Sequence, residues 1–289
     1  MKTLTLETAG ADLVYDVRGP LPTSDGRPPL LMIGQPMSAS GFAALAARFP
    51  ERTVVTYDPR GLGRSVRKDG RTDHAPRTQA DDVHAVIAAL GAGPVEMFAS
   101  SGGAVTALSV VEKYPSDVTT LVAHEPPLIT LTPDGPAAVR ARARVREAYE
   151  KRGWGAGMAA FVAMTSWVGE FTDAYFAQPA ADPAAFGMPT EDDGSRDDPL
   201  LSDRSWAVSG YRPDADAITA APTRVVIAVG EESENLLTAR TSAAAAELLG
   251  QKVVVFPSHH GGFCGGEFGQ PGKPDEFALR LRQVLDGAA

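Results

Sequence analysis

Apolar and polar positions follow two different rhythms along most of the chain. Short runs of β-branched and other apolar residues are typical of buried strands. Longer segments carry apolar residues on one helical face. In Thr78–Leu90 these residues recur at i, i+3, i+4 and i+7, and they are Val83, Val86, Ile87 and Leu90. This spacing predicts a helix that packs one face on a sheet.

The short apolar runs predict eight strands. They are Thr3–Glu7, Asp12–Arg18, Pro29–Ile33, Thr53–Tyr57, Pro94–Ala99, Val118–Ala123, Thr223–Val229 and Lys252–Phe256. The helical pattern recurs in three further segments, which are Gly103–Lys113, Leu236–Leu249 and Asp275–Leu285. Because strands and helices alternate, the predicted fold class is α/β, with a mostly parallel eight-stranded sheet wrapped by helices.

One interval, residues 130–221, breaks this alternation. It contains the helix-like segments Ala137–Lys151 and Met158–Val168, followed by the acidic, Pro- and Gly-rich passage QPAADPAAFGMPTEDDGSRDDPLLSD, and it has no strand pattern. We interpret the interval as an inserted helical cap with a solvated loop. The core then consists of residues 1–129 and 222–289, and the cap would lie over the carboxyl edge of the sheet.

Composition indicates an ordinary globular protein. The 289 residues, 44% of them hydrophobic, can bury a large core. The N-terminal stretch lacks the apolar segment of a secretory signal and no membrane span is evident, so a cytoplasmic location is expected. A formal net charge of −9 argues against a nucleic-acid partner. The single cysteine, Cys264, permits no internal disulfide, and neither a metal nor a cofactor is expected.

Two adjacent serines stand between a predicted strand and a predicted helix, in the stretch MFASSGGAVTAL. So tight a turn tolerates only small residues two positions before and two positions after its apex. For Ser100 the residue two positions before is Phe98, whose ring violates that requirement. For Ser101 the flanking residues are Ala99 and Gly103, which satisfy it. Ser101 is therefore the candidate nucleophile, at a strained turn with Ala in place of the first Gly of G-x-S-x-G.

Four stretches, in the right order, resemble motifs of the α/β-hydrolase fold superfamily, and the resemblance covers nearly the whole chain. They are LLMIGQP at the family's H-G-x oxyanion turn, YDPRGLGRS at its D-x-R-G-x-G-x-S turn, the serine turn, and FPSHHGGF at its catalytic histidine. The resemblance implies the serine-nucleophile branch of that superfamily, with a helical cap. Haloalkane dehalogenases and epoxide hydrolases of this fold use Asp as nucleophile, so those chemistries are disfavoured.

A serine hydroxyl becomes a good nucleophile only when a neighbouring base takes its proton. Of the five histidines, His74 and His84 are expected to be solvated, and His124 is expected to be structural. The other two, His259 and His260, follow the last predicted strand, where the family has its base. Because the family commonly has small residues after that base and two glycines follow His260, the resemblance favours His260.

The third member of a triad is a carboxylate that orients the imidazole and stabilises its cation. Most family members place an Asp three residues after a Gly at the end of the seventh strand. Here that position is Ser233. The neighbouring acids, all out of step with it, are Glu231, Glu232 and Glu234. Glu125, at the end of the predicted sixth strand, resembles the acid of some haloalkane dehalogenases. We favour Glu125, with the three neighbouring glutamates open as alternatives.

The oxyanion hole of such an enzyme needs two backbone N–H donors. Gly102, the residue after the nucleophile, is predicted to supply one from a helix N-terminus, where the helix dipole also favours negative charge. The other donor should come from the turn IGQP. Because Pro36 has no N–H, Gln35 is the predicted donor.

Together these residues predict a serine hydrolase that cleaves a carboxylic ester or related small acyl compound. Its triad would be Ser101, Glu125 and His260, with an acyl-enzyme intermediate. Two other hypotheses stay open. One is a cofactor-free haloperoxidase-like or carbon–carbon bond hydrolase, and the other is a non-catalytic small-molecule-binding protein of hydrolase fold. The expected partner is a small-molecule substrate. The sequence decides neither the identity of this substrate nor whether the protein forms homo-oligomers.

Overall fold

The computed structural model describes residues 1–266, 269 and 271–287. The strands within these residues are β1 Lys2–Glu7, β2 Ala11–Arg18, β3 Leu30–Gln35, β4 Val54–Tyr57, β5 Val66–Arg67, β6 Val95–Ser101, β7 Val118–His124, β8 Arg224–Gly230 and β9 Val254–Phe256. The α-helices are α1 Ala43–Ala46, α2 Pro76–Leu90, α3 Gly102–Lys113, α4 Gly135–Thr165, α5 Asp173–Phe176, α6 Trp206–Ser209, α7 Ala215–Ala220, α8 Leu237–Leu248 and α9 Pro274–Leu285.

The strands form one sheet in the order β1-β2-β4-β3-β6-β7-β8-β9. β2 pairs antiparallel with both β1 and β4, and from β4 onward each neighbour is parallel. The predicted mostly parallel α/β fold is confirmed. The described residues contain nine strands rather than eight, because the two-residue strand β5 pairs with β2. In the parallel part, the carboxyl ends of the strands meet at one edge, where such folds bind their ligands.

Helices cover both faces of this sheet. The four apolar positions predicted on α2 are buried, and they are Val83, Val86, Ile87 and Leu90. They pack with α3 and α8 on one face, whereas α1 and α9 pack on the other. Each large apolar side chain buried in this way contributes about 1.5–3 kcal/mol to folding. No helix in the described part of the chain has both the length and the apolar character needed to cross a bilayer.

The segment between β7 and β8, which we call the cap, is helical, and its buried apolar residues form a third cluster that also includes Leu237 of α8. Its main helix, α4, replaces the two predicted segments with one element that is broken at Gly153, where φ is 82°. This positive φ favours glycine, and a Cβ atom here would also lie 2.4 Å from Oδ1 of Asp192. Most of the acidic passage that contains Asp192 is exposed, as expected for a surface connection.

Candidate active site

The turn between β6 and α3 places Ser101 at the carboxyl edge of the sheet. Ser101 ends β6 and Gly102 begins α3, with no residue between them. The backbone of Ser101 has φ 56° and ψ −129°, outside the regions that non-glycine residues prefer. A turn this sharp presents the side chain at its apex, and Ser101 lines a cavity between the sheet and the cap.

Close packing explains why the residues around this turn are small. Ala99 is fully buried within β6. A Cβ atom added to Gly103 would lie 2.6 Å from the Cα of Gly34, well inside the normal separation of non-bonded carbon atoms. The small residue at position 103 is therefore required by the contact between α3 and β3.

The two adjacent serines have different surroundings. Ser100 is 2% exposed, and its Oγ lies 3.2 Å from Nδ1 of His124, which is fully buried as its structural interpretation requires. Ser101 is partly exposed and lines the cavity. Of the two hydroxyls, that of Ser101 is therefore the one that a molecule in the cavity would meet.

A hydrogen bond joins Glu125 to His260. Glu125 directly follows β7, is fully buried and has a φ of 49°. Its Oε2 lies 2.5 Å from Nδ1 of His260, which belongs to the loop between β9 and α9. Its Oε1 accepts a hydrogen bond of 2.9 Å from the N–H of Gly230, at the end of β8. Both carboxylate oxygens are thus held, one by the histidine and one by the sheet.

The alternative acids have other partners or face solvent. The carboxylates of Glu231 and Glu232 lie 3.1 and 3.0 Å from Nζ of Lys273. Glu234 is exposed. Ser233 is 1% exposed and lines the cavity, at the position where the family commonly has its acid. Glu125 is the acid that the structure places against the predicted base.

This pairing lowers the pKa of Glu125 and raises the pKa of His260, as a catalytic triad requires. Burial raises the pKa of Glu125, but the hydrogen bond and charge of His260 outweigh it and hold that pKa well below its ordinary value. Removal from water lowers the pKa of His260, yet the hydrogen bond and charge of Glu125 bring the net pKa above its ordinary value. Glu125 is therefore ionised, and His260 is a stronger base than a free imidazole.

We expect kcat/KM for hydrolysis to rise with pH through one ionisation, with its midpoint above the ordinary histidine value of about 6.5. With His260 as the predicted base, its neutral imidazole would be the active form, and stabilisation of the imidazolium by Glu125 moves the midpoint upward. His74 and His124 would not titrate near that midpoint, because burial lowers the pKa of each to about 4. A pH–rate profile measures the midpoint.

His259 provides the matched control for this profile, because it also lines the cavity. Its Nδ1 accepts a hydrogen bond of 3.0 Å from the N–H of Gly261. The His259→Gln variant should keep the wild-type midpoint. A midpoint below the ordinary histidine value, or one that moves in His259→Gln, contradicts the assignment of His260 as the base.

The two predicted oxyanion donors lie next to each other beside Ser101. Gly102 is the first residue of α3, where backbone N–H groups have no partner within the helix. Gln35 ends β3 and stands opposite Ser101 in the parallel β3–β6 pair. A Cβ atom added to Gly102 would lie 2.9 Å from the carbonyl oxygen of Gln35, so the two backbones are in contact.

The side chain of Gln35 contacts a histidine that the sequence placed in solvent. His74 is 2% exposed, and its Nδ1 lies 2.5 Å from Nε2 of Gln35. Its backbone N–H also donates to the carbonyl oxygen of Arg204 in the cap, at 2.8 Å. The prediction that His74 is solvated was wrong, because its burial comes from residues distant in sequence. His84 was also predicted to be solvated, and its side chain is 42% exposed.

The cavity has a volume of about 330 Å³, within the range of small-molecule sites. Four predicted site residues line it, and they are Gln35, Ser101, Gly102 and His260. Cap residues such as Phe161, Met164 and Leu200 give it a largely apolar wall. The arrangement can enclose a small acyl compound while a hydroxyl, a base and two N–H donors meet its carbonyl group.

Sequence matches to known proteins cover part of this chain. A model of the alpha/beta hydrolase fold matches residues 30–152. An uncharacterized hydrolase, YraK of Bacillus subtilis (strain 168), is 35% identical over 128 residues, which are 44% of this chain and 45% of that protein. The matched part thus spans less than half of the curated relative's length.

Solved structures resemble the chain over its full length. A thermophilic esterase from Thermogutta terrifontis superposes with a TM-score of 0.65 at 20% identity, covering 100% of this chain and 99% of the esterase. A proline iminopeptidase from Mycobacterium smegmatis has a TM-score of 0.63 at 22% identity, with coverages of 99% and 98%. At such identities the likeness establishes a shared fold.

Proposed function

We propose, from its α/β-hydrolase fold, that this chain is a serine hydrolase acting on a carboxylic ester or a related small acyl compound. One observation carries the proposal. Ser101, at a strained strand-to-helix turn, lines the same cavity as His260, whose Nδ1 lies 2.5 Å from the buried Glu125 carboxylate.

The proposed reaction has an acylation half and a deacylation half. Ser101 Oγ attacks the substrate carbonyl carbon while His260 Nε2 takes the hydroxyl proton. The N–H groups of Gln35 and Gly102 stabilise the negative charge that develops on the carbonyl oxygen. His260 then gives its proton to the leaving alcohol, which departs and leaves an acyl-enzyme. Water, deprotonated by His260, then attacks the acyl group, and His260 returns that proton to Ser101 Oγ as the acid departs.

The identity of the nucleophile separates this chemistry from others on the same fold. A serine at the apex would form an ester with the acyl group, whereas the family resemblance implies an aspartate there in haloalkane dehalogenases and epoxide hydrolases. Glu125 stabilises the imidazolium through both halves of the reaction, since His260 is protonated after each attack.

We expect a fluorophosphonate to modify Ser101 covalently, because the serine oxygen displaces fluoride from phosphorus and the product resembles the tetrahedral intermediate. Mass spectrometry of the intact chain would show one adduct, and peptide mapping would locate it. A panel of 4-nitrophenyl esters of increasing acyl length would measure turnover alongside. An adduct on Ser100 would overturn the nucleophile assignment. Absence of both adduct and turnover would favour a binding protein over an enzyme.

A further inference from the structure

Arg142 brings a permanent positive charge to the wall of the cavity. It lies on α4 in the cap, is 5% exposed and lines the same cavity as Ser101. Among the described residues that line this cavity, Arg142 is the only one with a permanently charged side chain. A buried guanidinium is unusual because desolvation of its charge is costly unless an anion compensates it.

The hydrogen bonds of Arg142 leave part of its guanidinium unused. Nη2 donates to the carbonyl oxygen of Leu200 at 2.7 Å and to Oγ of Ser205 at 2.6 Å. Nη1 is buried and has no hydrogen-bond partner among the described residues. Burial lowers the pKa of Arg142 to about 10, which still leaves the group charged at neutral pH.

Nearby acids are already engaged elsewhere. Asp203, whose negative charge acts on Arg142, pairs with Arg146 at 2.8 Å. Asp198 accepts a hydrogen bond of 2.9 Å from Nε1 of Trp154. Within the described residues, Arg142 forms no direct ion pair, and its Nη1 has no hydrogen-bond partner, so the guanidinium can still pair with an anion in the cavity.

We propose that Arg142 binds a carboxylate on the substrate, so that the enzyme acts on acyl compounds carrying a second, free acid group. This inference rests on the proposed function. A guanidinium has planar N–H groups that match a carboxylate and neutralise its single charge. A phosphate carries about −1.5 to −2 at neutral pH, which exceeds the single positive charge that Arg142 supplies.

Two matched esters test the inference. Mono(4-nitrophenyl) glutarate carries a free carboxylate, and its methyl ester has the same chain without the charge. The wild-type enzyme should favour the free acid by about 10-fold to 100-fold in kcat/KM, the range expected for a charge-assisted contact. The difference should lie mainly in KM. The Arg142→Gln variant should lose this preference while it retains turnover of the neutral ester.

Two further variants separate recognition from folding. Arg142→Lys keeps the charge but not the planar group and should keep part of the preference. Arg146→Gln removes a positive charge one turn further along α4, at a residue that does not line the cavity. This variant should keep the full preference for the free acid. Circular dichroism and melting curves check that each variant folds. An equal loss on both esters in Arg142→Gln would show a purely structural role and overturn the inference.

The outcome also separates this inference from the proposed function. Turnover of the neutral ester without preference for the free acid overturns the inference and supports serine hydrolysis. If neither ester is cleaved, the proposed function fails, and calorimetric titration with glutarate then decides the inference. Glutarate binding that is lost in Arg142→Gln supports it, and absence of binding to the wild-type chain overturns it.

Discussion

The Ser101→Ala variant is expected to fold like the wild-type chain and to lose ester hydrolysis by about 10⁶-fold in kcat, the size of loss seen when another serine hydrolase loses its nucleophile. The physical reason is that, among the described hydroxyls, only that of Ser101 stands at this strained turn and lines the same cavity as His260. Folding should be little affected, because the Ser101 side chain makes no capping hydrogen bond to α3. Steady-state kinetics and a melting curve measure both effects.

Ser100→Ala is the matched control for this variant. It removes the adjacent hydroxyl, which is buried and lies 3.2 Å from His124 Nδ1. We expect a loss of about 1 kcal/mol in the free energy of unfolding, typical for one buried hydrogen bond, and turnover close to that of the wild type. An inactive Ser100→Ala variant that still folds, or an active Ser101→Ala variant, would show that the wrong serine was chosen.

Glu125→Gln is expected to lower kcat strongly, by up to about 10⁴-fold as in the protease triad. The amide keeps the shape of the side chain, and its oxygen can still accept from the N–H of Gly230. It then presents an N–H group to His260 Nδ1, which favours the wrong tautomer and removes the charge that stabilises the imidazolium. Kinetics on the best ester of the panel measure the loss, and circular dichroism checks the fold.

Three conservative variants serve as controls, and they are Glu231→Gln, Glu232→Gln and Glu234→Gln. The first two lose a contact with Lys273 on the exposed surface, and the third removes an exposed charge. Each should retain most of the turnover. If Glu125→Gln stays active while one of these three is inactive, the triad acid follows β8 and the resemblance to the dehalogenase arrangement is wrong.

The strands and helices of the fold were predictable because the apolar pattern that indicates each of them lies within a short stretch of sequence. The strand predicted at Val118–Ala123 extends by one residue in β7, and the helix predicted at Gly103–Lys113 begins one residue earlier in α3. Ends shift in this way because hydrogen bonding, rather than apolar pattern, decides where an element stops. β5 was missed since two residues are too few to carry a periodicity.

The candidate site was predictable only where short motifs describe it. The serine turn could be identified because neighbouring positions reveal its steric requirement. His74 could not be placed, since its partner Gln35 is 39 positions away. Arg142 could not be singled out either. It stands in the stretch RARARVREAYEKR, whose many charges are typical of an exposed helix, and its contacts with Leu200 and Ser205 are 58 and 63 positions away.

The position of the acid after β7 changes the electrostatic character of the substrate cavity. Glu125 is fully buried behind His260, and the position where the family commonly has its acid is occupied by the neutral Ser233 on the cavity wall. A carboxylate at residue 233 would repel a negatively charged substrate at short range, where Coulomb energies in a poorly hydrated site are large. In the proposed triad, the acid that activates the base is therefore separate from the wall that contacts the ligand, and no carboxylate of the described residues lines that wall to repel an anion.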